Sequence, residues 1–149
     1  MNNLIEPELV SLQQLANIFK NAFVKVLKQS EDRIVLSMDD EKVLIEITPE
    51  QNRCSMFIMT SVLPKHELSS IEEEINALIR ESNRDLISNR FSFEYNDVNM
   101  GVFVSDRDIF YSFGLNPPQL IDDIRRFIKI YKSVRDKLVL LIQSKGLIS

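Results

Sequence analysis

The chain has 149 residues, of which 44% are hydrophobic and 27% are charged, and its formal net charge is −4. A chain of this length can bury a core without disulfides or a structural metal, and this composition is typical of a globular protein rather than a disordered or fibrous one. The lone Cys54 excludes an internal disulfide, and the acidic balance disfavours non-specific binding to nucleic acid, which requires many phosphates to be neutralised.

The amino-terminal stretch "MNNLIEPELV" lacks the cationic start of a secretory signal. The longest apolar runs have about five residues, far fewer than the ~20 needed to span a bilayer. We therefore expect a single soluble, cytoplasmic domain over residues 1–149. The charge is unevenly distributed: Lys and Arg number 7 against 13 Asp and Glu up to Ile75, and 11 against 9 from Asn76 onward.

The first predicted element is a helix from Ser11 to about Lys28. Ser11 and Gln14 have the spacing of a capping box, in which each side chain satisfies the other residue's free backbone N–H. Apolar residues recur at helical spacing and predict one buried face. These residues are Leu12, Leu15, Ile18, Phe19, Phe23, Val26 and Leu27.

An antiparallel meander of three strands is predicted next, over "RIVLSM" (33–38), "KVLIEIT" (42–48) and "RCSMFIMTSV" (53–62). Asp39 and Asp40 suit the first turn because Asp tolerates a left-handed backbone. The acidic residues could instead suggest a cation site, but no calcium-loop pattern follows them. Pro64 ends the third strand.

A second helix is predicted over residues 69–83, with a capping box at Ser70 and Glu73 and three glutamates at the positive end of the helix dipole. Three further strands follow as "RFSFEYN" (90–96), "MGVFVSD" (100–106) and "DIFYSFG" (108–114). Asn96-Asp97 and Asp106-Arg107 are the predicted turns between them.

The last predicted helix is capped by Asn116, has Pro117 and Pro118 in its first turn, and stops near Gly146. The order α-βββ-α-βββ-α predicts an α+β fold, with an antiparallel sheet and helices packed mainly on one face. Apolar residues of this helix follow the alternating four- and three-residue spacing of a heptad seam. They are Leu120, Ile124, Phe127, Tyr131, Val134, Leu138 and Leu141.

This helix would be about 40 Å long, whereas a typical strand of five or six residues spans roughly 17–20 Å. We therefore expect its apolar end to pack on the first helix or to meet another subunit. The candidate dimer or partner contacts are Phe127, Tyr131, Val134, Leu138, Leu141 and Ile142.

The sequence offers no pattern of catalytic, metal-ligating or cofactor-binding residues. His66 is the single histidine and is expected in a solvated loop, and three glycines are too few for either glycine-rich phosphate-binding motif. Basic residues of the last helix could form a nucleic-acid surface, but no recognised binding motif accompanies them. We expect a protein that is not an enzyme.

The stretch "LIRESNRDLISNRFSFEYNDVNMGVFVSDRDIFYSFGLNPPQLIDDIRRFIKIYKSV" resembles the YbjN-like family of bacterial proteins labelled as candidate sensory transduction regulators. The shared pattern is a helix ending in Asn83, an aromatic strand at 91–95, strands at 102–104 and 109–113, and a long helix from Pro117. The family is similar in fold to the type III secretion chaperones.

The resemblance implies a cytosolic, non-enzymatic regulator that acts through protein contacts as a homodimer. Two alternatives stay open. One is a dedicated type III secretion chaperone that holds an unfolded segment of its cargo. The other is a small-ligand binder or enzyme that uses a cleft between helices and sheet.

Overall fold

The computed structural model describes residues 4–86 and 88–148 of the chain. Its α-helices are α1 (Leu12–Asn21), α2 (Lys65–Leu68), α3 (Glu72–Asp85) and α4 (Pro117–Ser144). Its strands are β1 (Lys25–Gln29), β2 (Arg33–Met38), β3 (Glu41–Thr48), β4 (Arg53–Pro64), β5 (Arg90–Tyr95) and β6 (Met100–Phe110). Short 3₁₀ turns lie at Pro7–Leu9, Pro49–Gln51 and Ser69–Ile71.

The six strands form one antiparallel sheet in the order β1-β2-β3-β4-β6-β5, which confirms the predicted α+β class. The β2-β3-β4 meander is confirmed, with Val35 opposite Leu44 and Leu44 opposite Phe57. Asp39 and Asp40 have φ angles of 52° and 63°, so the acidic pair forms the left-handed hairpin turn that the sequence predicts.

The first helix is shorter than predicted. Its cap is confirmed, because the Ser11 hydroxyl accepts a hydrogen bond from the Gln14 N–H at 3.1 Å. It ends at Asn21, however, and Val26 belongs to β1, where it lies opposite Leu36 of β2. An edge strand therefore precedes the predicted meander.

The predicted turn at Asp106-Arg107 is wrong, because β6 runs unbroken through both residues. The polar side chains that suggested a turn have partners instead: the Arg90 guanidinium donates to Asp106 at 2.6 Å, and Arg107 pairs with Asp123 at 3.7 Å. The strand stops at Phe110, so the predicted strand residues 111–114 form a turn.

The turn between β5 and β6 is confirmed at Asn96, whose side-chain oxygen accepts from the Val98 and Met100 N–H groups at 3.0 and 2.9 Å. At the outer edge of the sheet, the Asn83 side chain donates to the Phe91 carbonyl at 2.9 Å and accepts from the Phe91 N–H at 2.7 Å. Asn83 thus bonds β5 as a neighbouring strand would.

The second helix also differs from its prediction. The one-turn helix α2 and a 3₁₀ turn precede α3. Helix α3 begins at Glu72, and its N-cap residue, Ile71, makes no side-chain hydrogen bond to the helix. The predicted Ser70–Glu73 capping box is therefore wrong, whereas the three glutamates do occupy the first turn of α3. His66, predicted in a loop, lies in α2 and is exposed.

The backbone groups into two compact units, and the prediction of a single domain remains a prediction. The first unit comprises Met1–Ile58 and Arg107–Ile128, and the second comprises Met59–Asp106 and Lys129–Ser149. Buried side chains of the first unit include Leu15, Phe19, Ile34, Leu36, Ile45, Met56, Leu120 and Ile124. In the second unit the Phe103 ring stacks on Phe91 and on Tyr131, with ring centroids 6.0 and 5.5 Å apart.

The predicted difference in length between the last helix and the strands is wrong. At about 1.5 Å per residue, the 28 residues of α4 span about 42 Å. However, β4 has 12 residues and β6 has 11, so at about 3.3 Å per residue these strands span about 40 and 36 Å. None of the described helices is long and apolar enough to cross a membrane.

Candidate protein-contact site

The six predicted partner contacts of α4 lie mostly inside the chain itself. Phe127, Tyr131, Val134, Leu138 and Ile142 are at most 1% exposed, and Leu141 is half-buried. A helix that packs on its own sheet and a helix of a coiled coil share nearly the same apolar period. These five side chains therefore serve as core in this structure, and of the six predicted contacts Leu141 alone has surface free for a partner.

The exposed aromatic side chains of the first unit lie elsewhere. Phe23 is 98% exposed, Phe113 is 96% exposed and Phe110 is 65% exposed. A single exposed apolar residue is ordinary on a protein surface. These phenylalanines are informative because of the backbone that holds them.

Phe23 occupies the glycine position of a Schellman motif, the hydrogen-bonded turn that ends many helices. The Phe23 N–H donates to the Lys20 carbonyl at 3.1 Å, and the Val24 N–H donates to the Phe19 carbonyl at 2.8 Å, which are the two bonds of that motif. Val24 and Phe19 are both buried and supply the apolar pair that accompanies it. The motif forces Phe23 to a φ of 59°, in the left-handed region.

This conformation costs an L-residue other than glycine roughly 1–2 kcal/mol. The Phe23 ring recovers little of that cost within the chain, because almost all of it lies in solvent. The end of α4 shows the ordinary solution: Gly146 has a φ of 71°, and the Leu147 N–H donates to the Ile142 carbonyl at 3.3 Å. Gly146 as the helix stop is a confirmed prediction.

A cleft of about 550 Å³ lies between the end of α1 and the start of α4, and Ala22, which precedes Phe23 in the chain, lines it. We call it the α1–α4 cleft. Asn116 caps α4 as predicted, since its side-chain oxygen accepts from the Gln119 N–H at 3.1 Å. The lining residues are Ile18, Asn21, Ala22, Pro117, Pro118, Ile121, Asp122 and Arg125. The two prolines therefore both start the helix and form part of the apolar wall.

Phe110 and Phe113 flank a turn that is held firmly in place. We call residues 110–114 the phenylalanine turn. Tyr111 within it is 1% exposed, and its N–H donates to the Asn52 carbonyl at 2.8 Å. The Gly114 N–H closes the turn on the Tyr111 carbonyl at 2.9 Å.

The far side of the phenylalanine turn is also fixed. Ile5 and Leu115 exchange two backbone hydrogen bonds of 2.8 Å. Gly114 has a φ of 106°, and a Cβ there would lie 3.2 Å from the Leu4 Cβ, so a side chain would be strained in this position. The turn is thus anchored on both sides while it presents Phe113 to solvent.

The titratable groups near this turn are buried rather than poised for chemistry. Burial raises the pKa of the Cys54 thiol to about 12, with a further contribution from Asp108. Burial, followed by Cys54 and Glu50, raises the pKa of Tyr111, and its hydroxyl finds no hydrogen-bond partner among residues 4–86 and 88–148. We assign this cluster a structural role.

Sequence reasoning missed Phe23 and misplaced Phe113. Phe23 fits the apolar spacing of α1, and that spacing predicts a buried side chain. A phenylalanine gives no sequence signal for a position that glycine usually occupies. Phe113 lies in an aromatic run that favours a strand. The sequence signal that does point to a turn there is Gly114 itself.

No protein-family model matches the sequence, and neither does any curated protein. Solved structures do match in fold. YbjN from E. coli, described as a candidate transcription regulator, superimposes with a TM-score of 0.70 at 14% identity, over 92% of this chain and 94% of YbjN. An uncharacterized protein from Methanothermobacter thermautotrophicus gives a TM-score of 0.63 at 16% identity, over 91% of this chain and 99% of that protein. At these identities the likeness shows a YbjN-like fold alone.

Proposed function

We propose that this chain is a cytoplasmic, non-enzymatic regulatory module that acts by binding other protein molecules. The observation that carries the proposal is the phenylalanine turn, which holds Phe113 almost fully in solvent on an anchored backbone. A flexible loop would lose conformational entropy on binding, whereas a turn that is already fixed loses little.

The expected contribution of such a residue to binding is large enough to matter. Burying a phenylalanine side chain contributes about 1.5–3 kcal/mol, and aromatic anchors dominate many protein interfaces. Phe110 and Phe113 flank the same turn, so one partner surface could cover both.

The regulatory part of the proposal has separate support. YbjN from E. coli, whose fold this chain shares, is described as a candidate transcription regulator. The net charge of −4 makes direct non-specific contact with nucleic acid unfavourable, which favours regulation through protein partners.

The test is affinity capture from extracts of the source organism after mild cross-linking, with quantitative mass spectrometry. The native chain is compared with the double variant Phe110→Ser, Phe113→Ser and with Val98→Ser as a matched control. Val98 is 75% exposed in the turn between β5 and β6, outside the phenylalanine turn.

We expect the native chain and the Val98→Ser control to enrich the same partner, and the double variant to recover at least about tenfold less of it, since 1.4 kcal/mol corresponds to a factor of ten. Equal recovery by the double variant, or recovery of the bait alone in every sample, would contradict the proposal.

A further inference from the structure

Ala22 lines the α1–α4 cleft, and the ring of the next residue, Phe23, is 98% exposed, and these two observations point to a specific partner. We infer that the cleft is a self-association site that receives Phe23 of a second copy of this chain. The inference rests on the proposed function, since it assumes that the chain works by protein contact, and it names one of the partners and the surface used.

The shape of the α1–α4 cleft suits an aromatic side chain. The cleft has a volume of about 550 Å³, within the roughly 300–1,000 Å³ of sites that bury compact organic groups. Pro117 and Pro118 form part of its wall, and proline has no backbone N–H that would need a polar partner. Together with Ile18 and Ile121, they provide an apolar environment for a phenyl ring.

The position of Phe23 in the chain places an exposed ring next to a residue of the cleft. Phe23 directly follows Ala22, which lines the cleft. In a two-fold dimer each copy presents the same patch to the other. A patch that carries a projection next to a recess is complementary to itself, because each Phe23 can enter the recess of the other copy.

The charged residues of the cleft are complementary to those of a second copy. Asp122 and Arg125 line the cleft three residues apart on α4, so both project from the same face of the helix. Both are exposed, and neither takes part in an ion pair with another of the described residues. When two copies of this face meet antiparallel, Asp122 of each copy lies opposite Arg125 of the other. A second copy thus supplies both the apolar group and the matching charges.

The backbone of Phe23 supports the same conclusion. A phenylalanine in the left-handed glycine position is unfavourable for the isolated chain, and its ring lies in solvent. A second copy that covers the ring explains why a residue poorly suited to this backbone is useful there.

The test measures the mass of the purified full-length chain against concentration by sedimentation equilibrium. The central variant is Phe23→Asn, because asparagine tolerates the left-handed backbone and should leave the fold intact. Val98→Asn is the matched control: it removes an exposed apolar side chain that lies outside the phenylalanine turn and does not line the cleft. Circular dichroism checks that each variant is folded.

We expect a concentration-dependent dimer whose dissociation constant rises at least about tenfold in Phe23→Asn and stays unchanged in Val98→Asn. A chain that remains monomeric at all accessible concentrations, or a dimer that Phe23→Asn leaves intact, would overturn the inference.

A charge exchange tests the antiparallel arrangement. Asp122→Arg and Arg125→Asp should each weaken the dimer by bringing like charges together, and the double exchange should restore it. Failure of the double exchange to restore association would overturn the two-fold pairing. Should the chain be monomeric while Phe110 and Phe113 still govern capture from extracts, self-association fails and the proposed function stands.

Discussion

Replacing Phe23 by glycine should stabilise the monomer, although it removes a large apolar side chain. Most such truncations destabilise a protein because they remove buried surface. Phe23 is 98% exposed and has a φ of 59°, so the truncation removes almost no packing and relieves an unfavourable backbone.

The magnitude follows from two opposing effects. Glycine avoids the roughly 1–2 kcal/mol cost of the left-handed conformation. It also gives the unfolded chain more freedom, which costs about 0.5–1 kcal/mol. From the middle of each range the net gain is about 0.75 kcal/mol, which for a chain of this size raises the midpoint of thermal unfolding by about 1.5–3 °C.

The chain contains its own matched control in Gly146, the equivalent position of the second Schellman motif. A Cβ added there meets nothing within 4 Å, so Gly146→Ala isolates the backbone cost. We expect this variant to lose about 0.5–1 kcal/mol, a change of similar size and opposite sign.

The assay is urea unfolding followed by circular dichroism, at concentrations low enough to keep the chain monomeric. An unchanged dependence on urea concentration shows that only stability has changed. A loss of stability in Phe23→Gly would mean that the ring packs on the chain. No change in Gly146→Ala would mean that the left-handed conformation carries little cost here. Either result would refute the reasoning.

Three further variants test the buried groups. Burial raises the pKa of Cys54 from 9.0 to about 12. The buried thiol therefore contributes fully to the stability of the folded chain below pH 9. This contribution is lost as pH rises toward 12, because the thiol of the unfolded chain ionises first. The stability difference between the native chain and Cys54→Ala should therefore shrink across that range in urea unfolding, and a constant difference would contradict the shift. Tyr111→Phe removes a buried hydroxyl that has no partner among the described residues. The free energy of unfolding should therefore stay the same or rise by up to about 1 kcal/mol. A clear loss of stability would show that the hydroxyl makes a hydrogen bond. Gly101→Ala should lower the free energy of unfolding by about 1–3 kcal/mol in the same assay. The new Cβ would lie 2.6 Å from the Phe93 ring and 3.2 Å from the Leu63 carbonyl oxygen. An unchanged urea midpoint would mean that the neighbouring atoms move aside at little cost.

The elements that sequence reasoning placed correctly depend on local signals. The Asp39-Asp40 hairpin, the Asn116 cap and the Gly146 stop each follow from a residue whose preference is set by its own backbone. The errors have the opposite origin. The pair Asp106-Arg107 has the polar character of a turn, but Arg90 and Asp123, which are distant in sequence, pair with these two side chains within a continuous strand.

The candidate site was less predictable than the fold for a related reason. The seam of α4 has the period of a partner surface, and only the tertiary structure shows that residues such as Phe127 and Val134 are buried by the chain's own core. Phe23 shows the opposite error: an apolar residue at helical spacing is expected to be buried, but its side chain is exposed. Burial is a property of the assembled chain, and periodicity alone does not decide which apolar residues stay in solvent.

The contact of Asn83 with Phe91 has a consequence for how molecules of this protein can combine. Strand β5 ends the sheet, and an unprotected terminal strand can add strands from other molecules without limit. The Asn83 amide already occupies both backbone groups of Phe91, so an incoming strand would have to displace it at a point where it makes two short hydrogen bonds. Assembly through the β5 edge is thereby discouraged. A side-chain amide in the place of a neighbouring strand thus protects this edge of the sheet from the strand-by-strand growth that leads to fibres.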